Sequence, residues 1–151
     1  MKNFLVWIIL YGLLVWKFKN PIVEFVRRRF KLPVLLNYLI LTTPIIIVEE
    51  WFTCEIPYNS CIKITLPAFW LLFLISYLVQ KIFKLHWLRA SIVFAVIGLI
   101  NEMIVVGRIN VYDPGTALVA SVISLVVYGL MAVIPASYLA SNLIIKKGYV
   151  K

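Results

Sequence analysis

The chain has 151 residues, is 64% hydrophobic and 14% charged, and has a mean hydropathy of +1.01. That is too apolar for a water-soluble domain, which averages about 45–50% apolar and roughly 25% charged. Its net charge of +9 lies in short connections beside apolar runs, which leaves no free basic face for nucleic acid and places the chain in a bilayer.

The length accommodates roughly four to six spans of about 20 residues in a single transmembrane domain over 1–151. The first predicted span covers about 3–17, around the run Phe4 to Trp16. No small-residue cleavage site follows it, so it reads as an uncleaved span rather than a signal peptide. Asn20–Pro21 then predicts a new helix start, with Asn as N-cap and Pro at the first helical position. Over 20–31, Ile22, Val23, Val26 and Phe30 form an apolar stripe beside Arg27, Arg28, Arg29 and Lys31. This reads as a short amphipathic helix lying on anionic head groups, with a basic loop as the alternative.

The second span is predicted over 33–50 and ends in Glu49 and Glu50. The following loop, 49–65, holds the only two cysteines, Cys54 and Cys61, separated by a turn-forming Pro57-Tyr58-Asn59. Outside the cytoplasm this predicts a disulfide closing a small lid over the bundle. Two thiols with no histidine nearby do not make a zinc site. The third span is predicted over 66–83. The connection after it carries Lys81, Lys84, His86 and Arg89, and His86 reads there as a solvated side chain.

The fourth span, 88–107, contains Asn101 and Glu102. The fifth, 116–145, would extend about 45 Å against a hydrocarbon core of about 30 Å, so tilt, a kink at Pro135 or extension into the cytoplasm is expected. Ser121, Ser124 and Tyr128 recur along it at helical spacing beside Gly129, a pattern that lets helices approach closely. Trp16, Trp51, Phe52, Trp87 and Tyr112 fall at the predicted interfaces, where amphipathic rings collect.

The expected fold is therefore an all-α bundle of five transmembrane helices with one interfacial helix. Twelve of the fifteen Lys and Arg residues lie in 17–31, 81–89 and 146–151, against Lys2, Lys63 and Arg108 elsewhere. This alternation predicts a multi-pass protein of the cell membrane, with the N-terminus extracytoplasmic and the C-terminus cytoplasmic.

Five of the six acidic residues, Glu49, Glu50, Glu55, Glu102 and Asp113, fall toward the predicted outer side. Glu102 stands out, because a carboxylate inside an apolar span costs several kcal/mol unless paired or hydrated. It lies six residues from Arg108, too far along a straight helix for direct contact, so Arg108 is expected to pair with Glu49, Glu50 or Asp113. Candidate catalytic residues are Glu102 and Glu50; candidate binding residues are Glu49, Asn101, Arg108, Asp113, Ser124 and Tyr128. Ile47 to Phe52 also echoes Leu99 to Ile104, which would set Glu50 and Glu102 near a pseudo-twofold axis.

Two resemblances bear on these residues. Glu102, Gly107-Arg108 and Asp113-Pro114 before a long apolar helix is similar to the carboxylate–arginine–aspartate pattern of VanZ-like membrane proteins. Here the spacings are shorter, and the family's Asn one turn after the aspartate is missing. Pro44 with Glu49-Glu50-Trp51-Phe52 resembles the paired-glutamate segment of small membrane-bound lycopene cyclase domains, which implies acidic protonation of an isoprenoid double bond.

Three functional classes follow. The chain reads first as a non-catalytic lipid-binding module or membrane-complex subunit. Second is a membrane-embedded enzyme acting on a lipid or isoprenoid, with Glu50 or Glu102 as general acid. Third is a small transporter, which the missing ionisable residues in the inner half oppose. The expected partners are the bilayer, a lipid or isoprenoid ligand, and further copies or other subunits in the membrane. No Gly-rich phosphate loop, dinucleotide fingerprint or metal-ligand set occurs, so no cofactor or metal is expected.

Overall fold

The computed structural model describes residues 2–53, 58–105 and 112–148. These form α1 (Lys2–Arg29), α2 (Val34–Thr53), α3 (Tyr58–Phe83), α4 (Trp87–Ile100) with a π-helical turn (Asn101–Val105) at its end, and α5 (Pro114–Gly148). Among the described residues there is no strand. Four segments, Val34–Phe52, Ile62–Phe83, Trp87–Ile104 and Pro114–Leu143, are long and apolar enough to cross a membrane; α1 is not one of them. The protein is thus all-helical, with four helices built for a bilayer. Its exterior agrees with that solvent: Ile9, Leu13, Ile64, Ile104 and Leu118 are each more than half exposed.

Helix α5 is the axis. Every residue from Met131 to Ala140 is buried, and α5 packs against α1, α2, α3 and α4. Aromatic rings fill the space beside it. Phe73 stacks on Phe94 with centroids 4.3 Å apart, and Tyr38 meets Phe73 and Tyr77 edge-on at 6.2 and 5.3 Å. Offset and edge-to-face pairs of this kind add about 0.5–1.5 kcal/mol beyond the area they bury.

Buried amides lock one end of the bundle. Asn37 Nδ2 shares its two N–H groups among Tyr138 Oη at 2.9 Å, Phe30 O at 3.0 Å and Leu32 O at 3.2 Å. Gln80 Nε2 donates to Ala136 O at 2.8 Å and to Leu85 O at 3.3 Å. The α3–α4 turn closes through Leu85 N to Gln80 O, with Lys84 at φ 51° where a glycine commonly sits. These bonds bring the α1–α2 connection, the α3–α4 connection and the C-terminal third of α5 to the same end.

Two boundaries differ from expectation. The break at Asn20–Pro21 is absent: α1 runs through Pro21, so residues 20–29 continue the first helix and form no separate interfacial helix. The buried stripe of Tyr11, Val15, Val23 and Val26 continues across the proline, so packing outweighs the single lost hydrogen bond. That bond would have used the carbonyl of Lys17, an exposed residue. Helix α3 starts at Tyr58 rather than near 66, passing through Pro67, so Cys61 lies on a helical turn rather than in a lid. The expected disulfide rests on Cys54, which lies outside the described residues. Helix α5 passes Pro135 unbroken and extends over 35 residues, about 52 Å.

Candidate functional site

Helix α4 changes character where its polar residues begin. Trp87–Ile100 is α-helical, whereas Asn101–Val105 forms a π-helical turn that starts with Asn101 and Glu102. Such turns widen the helix by one residue and occur frequently at functional sites. One turn earlier, Gly98 leaves the surface of α4 bare. A Cβ there would overlap the ring of Tyr128, so the missing side chain lets that ring lie directly against the α4 backbone.

From this seat Tyr128 Oη donates a hydrogen bond to Glu102 Oε2 at 3.0 Å. Phe69 and Phe94 flank the ring at centroid distances of 5.9 and 6.2 Å. Tyr128 is buried and Glu102 partly buried, so the carboxylate meets its partner at the edge of the core. Gly98, Glu102 and Tyr128 thus join α4 to α5 through one ring and one hydrogen bond.

The other expected site residues are distributed as follows. Glu49 and Glu50 are buried near the end of α2. Ser124 is partly buried on α5, one turn before Tyr128, and Asn101 partly buried in the π-turn. Ser121 donates to Ala117 O at 2.8 Å, within its own helix. Asp113 caps α5: Oδ1 accepts from Gly115 N at 3.0 Å and Thr116 N at 3.1 Å, and Oδ2 accepts from Thr116 Oγ1 at 2.5 Å. These bonds, the Thr116 hydroxyl foremost, hold its carboxyl below the ordinary carboxylate range. Arg108 lies outside the described residues. The echo between Ile47–Phe52 and Leu99–Ile104 does not extend to local structure, since α2 stays α-helical where α4 becomes π-helical.

Among the described residues, clefts open between the helices at the end marked by Tyr138. One, about 220 Å³, is walled by α1, the start of α4 and α5; another, about 60 Å³, lies between Val34, Tyr77 and Leu143. Neither is lined by Glu49, Glu50, Asn101 or Glu102.

Sequence reading passed over Asn37 and Gln80, the residues that lock the other end. The available signal was an amide inside an apolar run for Asn37. Gln80 stands next to Lys81 and so reads as a border residue. No protein family, curated protein or solved structure matches the chain. The VanZ-like and cyclase-like resemblances therefore stand on their short motifs alone.

Proposed function

We propose that this protein is a non-catalytic membrane component, a lipid-binding module or complex subunit, in which Glu102 serves as an interhelical clamp. The observation that carries this reading is the Tyr128–Glu102 hydrogen bond seated over Gly98, beside a core that aromatic rings already fill. A general acid for a lipid would need its carboxyl open to the substrate, whereas the Glu102 carboxyl accepts the Tyr128 hydroxyl at 3.0 Å. The alternative is an enzyme directed at a lipid or isoprenoid with Glu102 or Glu50 as acid, and the π-turn under Glu102 is its support.

Lipid extracts of cells expressing the wild type and Glu102→Gln separate the two. The clamp reading expects identical extracts and a less stable variant. A lipid or isoprenoid species that appears with the wild type and vanishes with a stably folded Glu102→Gln chain would establish the enzyme.

For topology we propose five crossings, with α1 as the first, the N-terminus extracytoplasmic and the C-terminus cytoplasmic. Its support is that the basic connections near Lys31 and Lys84 lie with the C-terminal part of α5 at one end. Protease access to tags on the two termini in sealed vesicles reports opposite sides if this holds; two tags on one side would exclude it. In this orientation Cys54 and Cys61 face the oxidising side and pair, which a mobility shift on reduction would register.

A further inference from the structure

The larger cleft has a polar wall. Lys19, Asn20 and Glu24 of α1 contribute to it, with His86 at the start of α4 and Ser137 and Ser141 of α5. Ser137 is 8% exposed, and its Oγ has no hydrogen-bond partner among the described residues. Helical serines commonly bond back to a carbonyl one turn earlier, as the buried Ser91 does to Trp87 O and the partly buried Ser121 to Ala117 O. Ser137 does not, so its hydroxyl remains for something in the cleft.

The neighbouring groups are donors as well. Lys19 Nζ sits 3.6 Å from the centroid of the Trp87 ring, which fixes the ammonium at the cleft wall. His86 Nδ1 accepts from Leu88 N at 3.5 Å, which leaves the ring proton of the neutral form on Nε2. Asn20 adds an amide. The one carboxylate in the lining, Glu24, is ion-paired with Arg27 through Oε1 at 2.5 Å and with Arg28 at 3.3 Å, while its Oε2 accepts no hydrogen bond among the described residues, so its negative charge is offset by two arginines. A ligand satisfying this wall has to be compact, anionic and rich in acceptors. The cleft holds the volume of about seven water molecules, enough for a phosphate and its ester carbons but not for acyl chains. Arg29 and Lys84 are exposed at the same end, where an anionic leaflet surface is attracted.

We infer that this cleft binds a phosphate group, presented by the head group of an anionic phospholipid. The inference gives the lipid-binding reading a ligand class, yet it is independent of the Glu102 clamp: the lipid-extract comparison tests the clamp, and the following test does not touch it. The full chain is released from bilayer discs of phosphatidylcholine with added phosphatidylglycerol, and retained lipid is read by native mass spectrometry. The wild type retains phosphatidylglycerol selectively. Lys19→Gln lowers that retention about tenfold, as for one charged hydrogen bond, and Ser137→Ala about fivefold, as for a neutral one. Arg29→Gln, an exposed charge outside the lining, stays within about twofold of wild type. In discs of phosphatidylcholine alone, inorganic phosphate that raises the wild-type Tm but not that of Lys19→Gln supports the same site filled from solution. The inference is overturned if neither lipid nor phosphate binds the wild type. It is equally overturned if correctly folded Lys19→Gln and Ser137→Ala retain lipid as wild type does, or if Arg29→Gln loses as much as Lys19→Gln.

Discussion

Tyr128 and Tyr138 stand ten residues apart on α5, and each carries its hydroxyl to a neighbouring helix. Tyr128 reaches a carboxylate on α4, and Glu102 keeps part of its surface exposed. Tyr138 meets the amide of Asn37 on α2 in a closed setting, with the two residues 2% exposed. Of these two contacts, the sealed one is made by a neutral amide, which costs less to desolvate than a carboxylate. The two contacts also differ in what makes room for them. Tyr128 depends on an absent side chain at Gly98, whereas Tyr138 depends on the chain reversal after α1, where Phe30 and Leu32 offer their carbonyls to the same amide.

Substitutions sharpen the contrast. The largest effect is expected for Gly98→Val, which drives a branched side chain into the Tyr128 ring and separates α4 from α5. We expect a loss of about 3 kcal/mol or more in reversible unfolding from mixed micelles. Gly129→Ala is its control, since a Cβ there meets Ala95 at an ordinary 3.6 Å, and it should stay within about 0.5 kcal/mol. Next comes Asn37→Ala, which strips a donor from Tyr138, Phe30 and Leu32 in a sealed site and should cost about 2 kcal/mol. If Asn37→Ala proves milder than Tyr128→Phe, the sealed amide is not the stronger lock. Tyr128→Phe removes one hydroxyl at the open contact. Its expected cost in the same assay is about 0.6 kcal/mol and no more than about 1.7, the range of interhelical hydrogen bonds in a membrane.

The smallest effect belongs to Asp113. Because its folded carboxyl titrates below the ordinary range, its cap stabilises α5 above that range and is lost as the pH falls through the lowered value. Relative to the intrinsic rate, which itself slows in acid, amide exchange at Gly115 and Thr116 should quicken over that acid interval in the wild type. In Asp113→Ala it should be fast throughout; equal behaviour of the two chains would remove Asp113 from the cap.

Much of the fold was legible because hydrophobicity is a sum over about twenty residues. The apolar runs containing Ile46, Phe73 and Phe94 each became a helix, although α3 begins eight residues before its expected start. What failed was local punctuation. Pro21 read as a helix start, yet it lies inside α1. One missing N–H costs little when a buried stripe continues on both sides of it. At the candidate site, Glu102 and Tyr128 could be singled out as polar groups in apolar helices. Their contact could not, because it depends on the Gly98 gap and on the angle at which two distant helices cross. Asn37 and Gln80 show the same limit: an amide in a span announces a partner without saying which.

The π-turn at Asn101–Val105 has a consequence for how this chain tolerates length change. It stores one surplus residue between the part of α4 that packs on α5 and whatever follows. Excising Asn101 would swing Glu102 by about 100° around the axis, off the Tyr128 hydroxyl. The same excision within Trp87–Ile100 would instead displace Phe94 and Gly98. The turn is therefore the point along α4 where an insertion or deletion redirects the carboxylate while sparing the ring stack beneath it.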